Sequence, residues 1–174
     1  MSAQSDIPSA LAEARASHLR SHGDTAPDLE QLRQVIDAMV PFCDLVGVRV
    51  IELRPDAGVA ELPDRPDLRN HMGTVHAGAI FLVAEVSGAA AFSGAMAPRI
   101  LGVQAFVLRD CRVSYLKPAR GRLRAHGAID TTVTRDVLTR TGTERFDLTG
   151  RSLVYDDAGV LVAKVDFDYV ATVA

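Results

Sequence analysis

A single charged residue, Glu85, interrupts an otherwise apolar run from Ala77 to Phe92, and that run constrains the fold more than any other stretch of the chain. A helix that is apolar all round has no face for water and must be enclosed. Thr74 to Phe92 is therefore expected to form a helix buried on all sides, wrapped by whatever the remaining sequence supplies.

What remains is mostly strand. Val46, Val48 and Val50 alternate with Gly47, Arg49 and Ile51, which suits a strand with one face on a core. Pro55 to Gly58 reads as a turn, and Val59 to Leu62 as the returning strand. Beyond Pro98 the pattern is that of an antiparallel meander. Its strands are Phe106–Leu116, a run in which Leu123, Ala125, Gly127 and Ile129 face one way, Arg145–Tyr155, and a last one carrying Ala163, Val165, Phe167 and Tyr169. Lys117 to Gly121 reads as a tight connection between the first two. Ahead of the strands, Asp28 caps a helix, with Gln31 in capping-box position. Its apolar face is Leu29, Leu32, Val35, Ile36, Met39 and Val40, and Pro41 ends it. The expected fold class is α+β, with about five or six antiparallel strands curled around one long central helix. Residues 28–174 are expected to form one domain, preceded by an arm at 1–27 that is helical (9–21) or loosely ordered.

Glu85 is the odd residue. At roughly 100° per residue, Gly78, Phe81, Leu82, Gly88, Ala89 and Phe92 share its side of the helix. An ionised carboxylate there costs several kcal/mol unless it is paired or reaches a cleft. Desolvation raises its pKa and makes it a better base near neutral pH. Physical chemistry alone leaves two readings open: a reactive group, or an interface residue satisfied by an arginine or a backbone amide.

The segment leading into the helix, Asn70-His-Met-Gly-Thr-Val-His-Ala-Gly78, brings polar side chains and two glycines to its N-terminus. Free N–H groups and the positive dipole end favour developing negative charge there. A thioester carbonyl becoming a tetrahedral oxyanion needs such donors.

Asn70, Gly73, His76-Ala77-Gly78 and an acid nine residues past the histidine together resemble the signature of the hotdog-fold thioesterases. The group in question includes the phenylacetate-pathway and 4-hydroxybenzoyl-CoA enzymes. The resemblance covers roughly residues 45–171, including Val113–Gly121 and Asp157–Ala163. It implies a hotdog fold, a homodimer formed edge to edge or a homotetramer, and hydrolysis of an acyl-CoA or acyl-carrier-protein thioester at a site between two subunits. By the same likeness Glu85 is the base or nucleophile, and the Ala77 N–H polarises the carbonyl. Asn70 positions water or thioester, and His76 supports the loop. Gly73, Gly78 and Leu82 are expected to line the substrate. Lys117, Arg120, Arg122 and Arg124 concentrate positive charge at one turn and strand face, which either grips the phosphates of coenzyme A or is a solvated face that keeps the strand soluble. The chain departs from the pattern at Ala77, where the family has glycine. It departs also at Ala89 and Leu108, where polar residues are common. These departures keep a second expectation in play, a binding or sensing protein without catalysis. A hotdog dehydratase would need a differently spaced His–acid motif, which is absent.

Composition excludes other classes. With 48% hydrophobic and 24% charged residues and a net charge of −3, the chain lacks the basic footprint of a nucleic-acid binder. Cys43 and Cys111 belong to no metal-ligand spacing and form no disulfide framework. No metal and no cofactor is expected beyond the coenzyme A of the substrate. No G-x-S-x-G elbow is present for a serine hydrolase. No secretory h-region is expected, and the apolar stretch Ala77–Ala84 is too short to span a bilayer before Glu85. A cytoplasmic protein without membrane partners is the expectation.

Overall fold

The computed structural model describes residues 28–174, so the expected arm and its 9–21 helix lie outside the described residues. The first helix, α1, is Leu29–Asp37. Asp28 caps it by accepting a 2.9 Å hydrogen bond from the Glu30 N–H, and Gln31 closes no capping box. Pro41 does not end this helix; it opens a second short one, α2 (Pro41–Val46), at the first-turn position where a missing N–H costs nothing. Gly47, at φ 84°, closes α2 in the left-handed region. The first strand, β1 (Arg49–Leu53), therefore starts later than alternation from Val46 suggests. Arg33 Nη1 donates to the Val50 carbonyl at 2.6 Å, and Asp37 Oδ1 accepts from the Val50 N–H at 2.7 Å, tying α1 to this strand.

Next come β2 (Ala57–Leu62), the long helix α3 (Ala77–Ala95), β3 (Val103–Tyr115) and β4 (Leu123–Ile129). A helix α4 (Thr131–Leu138) precedes the last two strands, β5 (Glu144–Asp156) and β6 (Leu161–Val173). The six strands form one antiparallel sheet in the order β1-β2-β4-β5-β6-β3. This order corrects the meander: β3 pairs with β6, and β4 pairs with β2. Alternation reports which face of a strand is dry and carries no information on its neighbour. The Lys117–Gly121 segment is therefore a crossover between distant strands. It passes the start of α3, where Ala119 O accepts from the Val75 N–H at 3.0 Å. The helix α4 is a second correction. Its Thr-Thr-Val-Thr start is β-branched and disfavours a helix. The Asp130 cap onto Thr132 N (2.9 Å) and burial of Thr134 and Val137 override that.

The central helix runs Ala77–Ala95 with His76 as its N-cap, shifted by three residues from the expected Thr74–Phe92. Although it is long and apolar enough to cross a membrane, it forms the core of the sheet. Val83, Ala84, Ala90 and Ala91 are fully buried, and the Ser87 hydroxyl is paired with Ser152 at 2.8 Å. It is not enclosed on every side, however. Phe81, Leu82, Glu85, Ala89 and Ser93 form a half-buried stripe along the face that the sheet does not reach. Gly88 is not part of that stripe, because it packs on the Tyr169 hydroxyl.

Two glycines set how closely helix and sheet approach. A Cβ on Gly127 would lie 2.2 Å from the Ser87 carbonyl oxygen, and one on Gly58 would lie 2.5 Å from the Ala90 Cβ. Gly127→Ala is expected to cost about 3 kcal/mol, since buried backbone must retreat. In thermal denaturation that is a Tm drop of roughly 6–12 °C for a chain of this size. A Tm within about 2 °C of wild type would mean that the helix does not rest on this strand.

Candidate active site

The loop before α3 is built around Asn70. Its Oδ1 accepts from the N–H groups of Met72 (2.9 Å) and Thr74 (3.2 Å), and its Nδ2 donates to Thr74 Oγ1 at 2.9 Å. Gly73 takes φ 70° inside this turn, with open space where a Cβ would point, so the left-handed backbone alone calls for glycine. The Asn70 side chain is thus largely occupied by its own loop, with one amide hydrogen left over.

The four N–H groups that open α3 are not equivalent. Gly78 N–H donates to His76 Nδ1 at 3.0 Å, and those of Ala79 and Ile80 donate to the His76 carbonyl. Among the described residues no acceptor meets the Ala77 N–H. The histidine therefore takes up the neighbouring donors, and one amide at the positive end of a five-turn helix stays free. Tyr115, at the end of β3, donates its hydroxyl to the Ala77 carbonyl at 3.2 Å. Sequence reasoning passed over Tyr115, because nothing in the pattern brings the end of that strand to the helix start. Arg120 Nη1 donates to the Gly73 carbonyl at 3.4 Å, and Lys117 is exposed beside it in the crossover. Arg122 is paired with Asp157 of the β5–β6 turn and Arg124 with Glu61 of β2, both at the surface.

Glu85 lies about 12 Å further along α3, eight residues at 1.5 Å rise. It is half-buried, and among the described residues no hydrogen bond or ion pair reaches it. Burial alone pushes its pKa above the usual carboxylate value. It lines a cavity of about 320 Å³ together with Leu82, Val86, Ala89 and Phe92 of the same helix. The other walls are Ile36 and Val40 near α1, Cys43 of α2, Val48 and Val50 around β1, and Phe106 of β3. The role of α1 and α2 as a wall was not foreseen; the apolar periodicity of α1 was legible but not where it docks, and α2 falls where the sequence suggested a helix end and a strand. Leu82 is brought to Glu85 as expected, whereas Asn70, Gly73, His76, Ala77, Gly78, Lys117 and Arg120 gather at the other end, around the helix start. Among the described residues no group of His, Cys, Asp and Glu could hold a metal ion.

Comparison with solved structures places this architecture. A Pseudomonas aeruginosa protein of unknown function, called a probable thioesterase, is 22% identical with a TM-score of 0.69, over 87% of this chain and all of its own. A thioesterase family protein from Silicibacter pomeroyi is 18% identical with a TM-score of 0.67, covering 84% of this chain and 100% of that one. A mutant of the phenylacetic acid degradation protein PaaI from Thermus thermophilus is 24% identical with a TM-score of 0.57, over 76% of this chain and 98% of its own. The fold is that of these thioesterase-family and PaaI hotdog proteins. No curated protein matches the sequence. A family model matches residues 29–170, the whole sheet almost to its last residues, and the chain belongs to that family, the domain of unknown function DUF4442.

Proposed function

We propose that this protein hydrolyses an acyl thioester of coenzyme A or of acyl carrier protein, with Glu85 as its reactive carboxylate. The observation that carries the reading is a carboxylate desolvated at an apolar cavity with no cation beside it among the described residues. Structural ion pairs look different, because they are paired. A raised pKa makes Glu85 a stronger base than an exposed glutamate.

The ~12 Å between Glu85 and the Ala77 N–H is too long for one thioester carbon to touch both in the same chain. In this reading a second copy covers the open stripe of α3 and brings its Ala77 N–H to the carbonyl held at the first copy's Glu85. Glu85 takes a proton from water, whose oxygen adds to the carbonyl carbon, and the oxyanion accepts from Ala77 N–H. The tetrahedral intermediate collapses, the C–S bond breaks, and the thiolate leaves and takes a proton. Direct attack by Glu85 to form an anhydride that water then opens gives the same products. Asn70 orders the loop, His76 restricts the free donors to one, and Lys117 and Arg120 stand at the mouth where phosphate would pass. A cytoplasmic homodimer or homotetramer is part of the same proposal.

Thiol release from a panel of acyl-CoAs, followed with a thiol-detecting reagent, tests the reading. The expected outcome is turnover of at least one of them at roughly 1 s⁻¹ or faster, within the ordinary enzymatic range. Tight acyl-CoA binding without thiol release would favour a binding protein instead.

A further inference from the structure

The cavity at Glu85 is informative about the acyl group as well as about the carboxylate. It extends from Glu85 toward the C-terminal end of α3, away from the helix start, and reaches Phe92 about 10 Å along the axis. Phe92 and Phe106 stack at its far end, with ring centroids 4.0 Å apart. The charged groups that line it are both acidic, Glu85 and Asp37, and Asp37 is already engaged by the Val50 N–H. No lysine, arginine or histidine faces it among the described residues. Cys43 adds no charge, because burial pushes its thiol up to about 11 and leaves it protonated at neutral pH.

Resting on the thioesterase reading, we propose that the substrate carries an uncharged, apolar acyl chain, its carbonyl at Glu85 and its tail toward the Phe92–Phe106 stack. The volume of about 320 Å³ sets the length. If each carbon takes about the ~30 Å³ share of a water molecule, the cavity accepts about ten carbons. Dicarboxylic acyl groups are disfavoured, since a second carboxylate would sit between two acids with no cation to receive it. Ala89 keeps this wall short and apolar.

Two measurements made side by side test the proposal. The first is kcat/KM for acetyl-, butyryl-, octanoyl-, decanoyl-, hexadecanoyl- and succinyl-CoA, with wild type and Ala89→Phe. From butyryl to octanoyl the value is expected to rise about fourfold per methylene, to level off by decanoyl and to fall at hexadecanoyl. Succinyl is expected about 100-fold below butyryl. Ala89→Phe, which fills the cavity from α3, is expected to lower decanoyl turnover at least about tenfold more than it lowers acetyl turnover. Ala89→Leu serves if the phenylalanine variant does not fold. A flat chain-length profile, preference for succinyl, or equal losses on acetyl and decanoyl would overturn the proposal. The second measurement is calorimetry with non-hydrolysable acetyl and decanoyl thioether analogues of the CoA esters. If wild type releases no thiol from any ester, the hydrolase reading falls. The cavity assignment then stands if the decanoyl analogue binds at least about tenfold tighter than the acetyl one, and falls if the two bind equally.

Discussion

Replacing Glu85 with glutamine is expected to lower kcat for thioester hydrolysis by about 10²- to 10⁴-fold, the range that a positioned general base contributes. The amide keeps the shape of the side chain and its place on α3, but it cannot accept a proton from water or attack a carbonyl. The same substitution is expected to stabilise the protein. Below the unfolded carboxyl's ordinary value of 4.5 both states carry the proton. Between that value and the raised folded one, the folded chain holds the proton more tightly, so stability falls as pH rises through this window. Above it the buried charge is a constant cost that glutamine does not carry. Melting of Glu85→Gln should therefore lie above wild type at about pH 8, the gap closing as the pH falls toward 4.5. The acidic limb of the wild-type rate profile should stand above the value of an exposed glutamate. A variant that turns over as fast as wild type would sink the assignment of Glu85.

The Ala77→Pro variant is expected to lower kcat by about 10²- to 10³-fold, the usual effect of deleting one oxyanion donor. Proline here is an unusually clean deletion. Ala77 is the first residue of α3, where proline is well accommodated, and its N–H has no acceptor among the described residues. The preceding His76 already sits at φ −63°, ψ 138°, the region a following proline prefers. Little change in melting temperature should accompany the loss of rate. Because the proposal divides each site between two chains, the two inactive variants are expected to complement each other. In a mixed Glu85→Gln/Ala77→Pro pair, one site combines both defects and the other has neither, and since about half of randomly assorted dimers are mixed, about a quarter of the wild-type activity should return on co-refolding in equal amounts. No recovery would mean that both groups act within a single chain, or that one of them does not act.

Much of this was legible in the sequence, for identifiable reasons. The alternation through Leu123, Ala125, Gly127 and Ile129 appears unaltered as buried and exposed positions on β4. The apolar run with one acid is the core helix, and Glu85 is its one desolvated carboxylate. What escaped depends on tertiary partners. Pairing of β3 with β6 cannot be read from either strand alone. The helix Thr131–Leu138 forms against its own β-branched propensity because its buried face is held. The open stripe of α3 escaped too, since a wholly apolar helix predicts burial but does not say whether the cover comes from the same molecule. Of the site, the loop glycine and the histidine cap were readable as types. The engagement of Asn70 by its own turn and the single free amide at Ala77 exist only in the folded geometry.

The link between α1 and β1 has a consequence for assembly. Arg33 and Asp37 occupy the carbonyl and the N–H of Val50, the ports through which a seventh strand would add on that side. Side chains have taken the place of a neighbouring backbone, and the sheet is stoppered there. Its other border, the thirteen-residue β3, has no further strand on its outer edge among the described residues, and the side chain on a backbone N–H there is only the local one of Asp110 on Cys111. A ribbon closed at one end and open at the other can join a copy of itself only once, tail to tail, and the product ends in two stoppers. Such a border permits self-recognition while denying the head-to-tail repetition from which fibres grow.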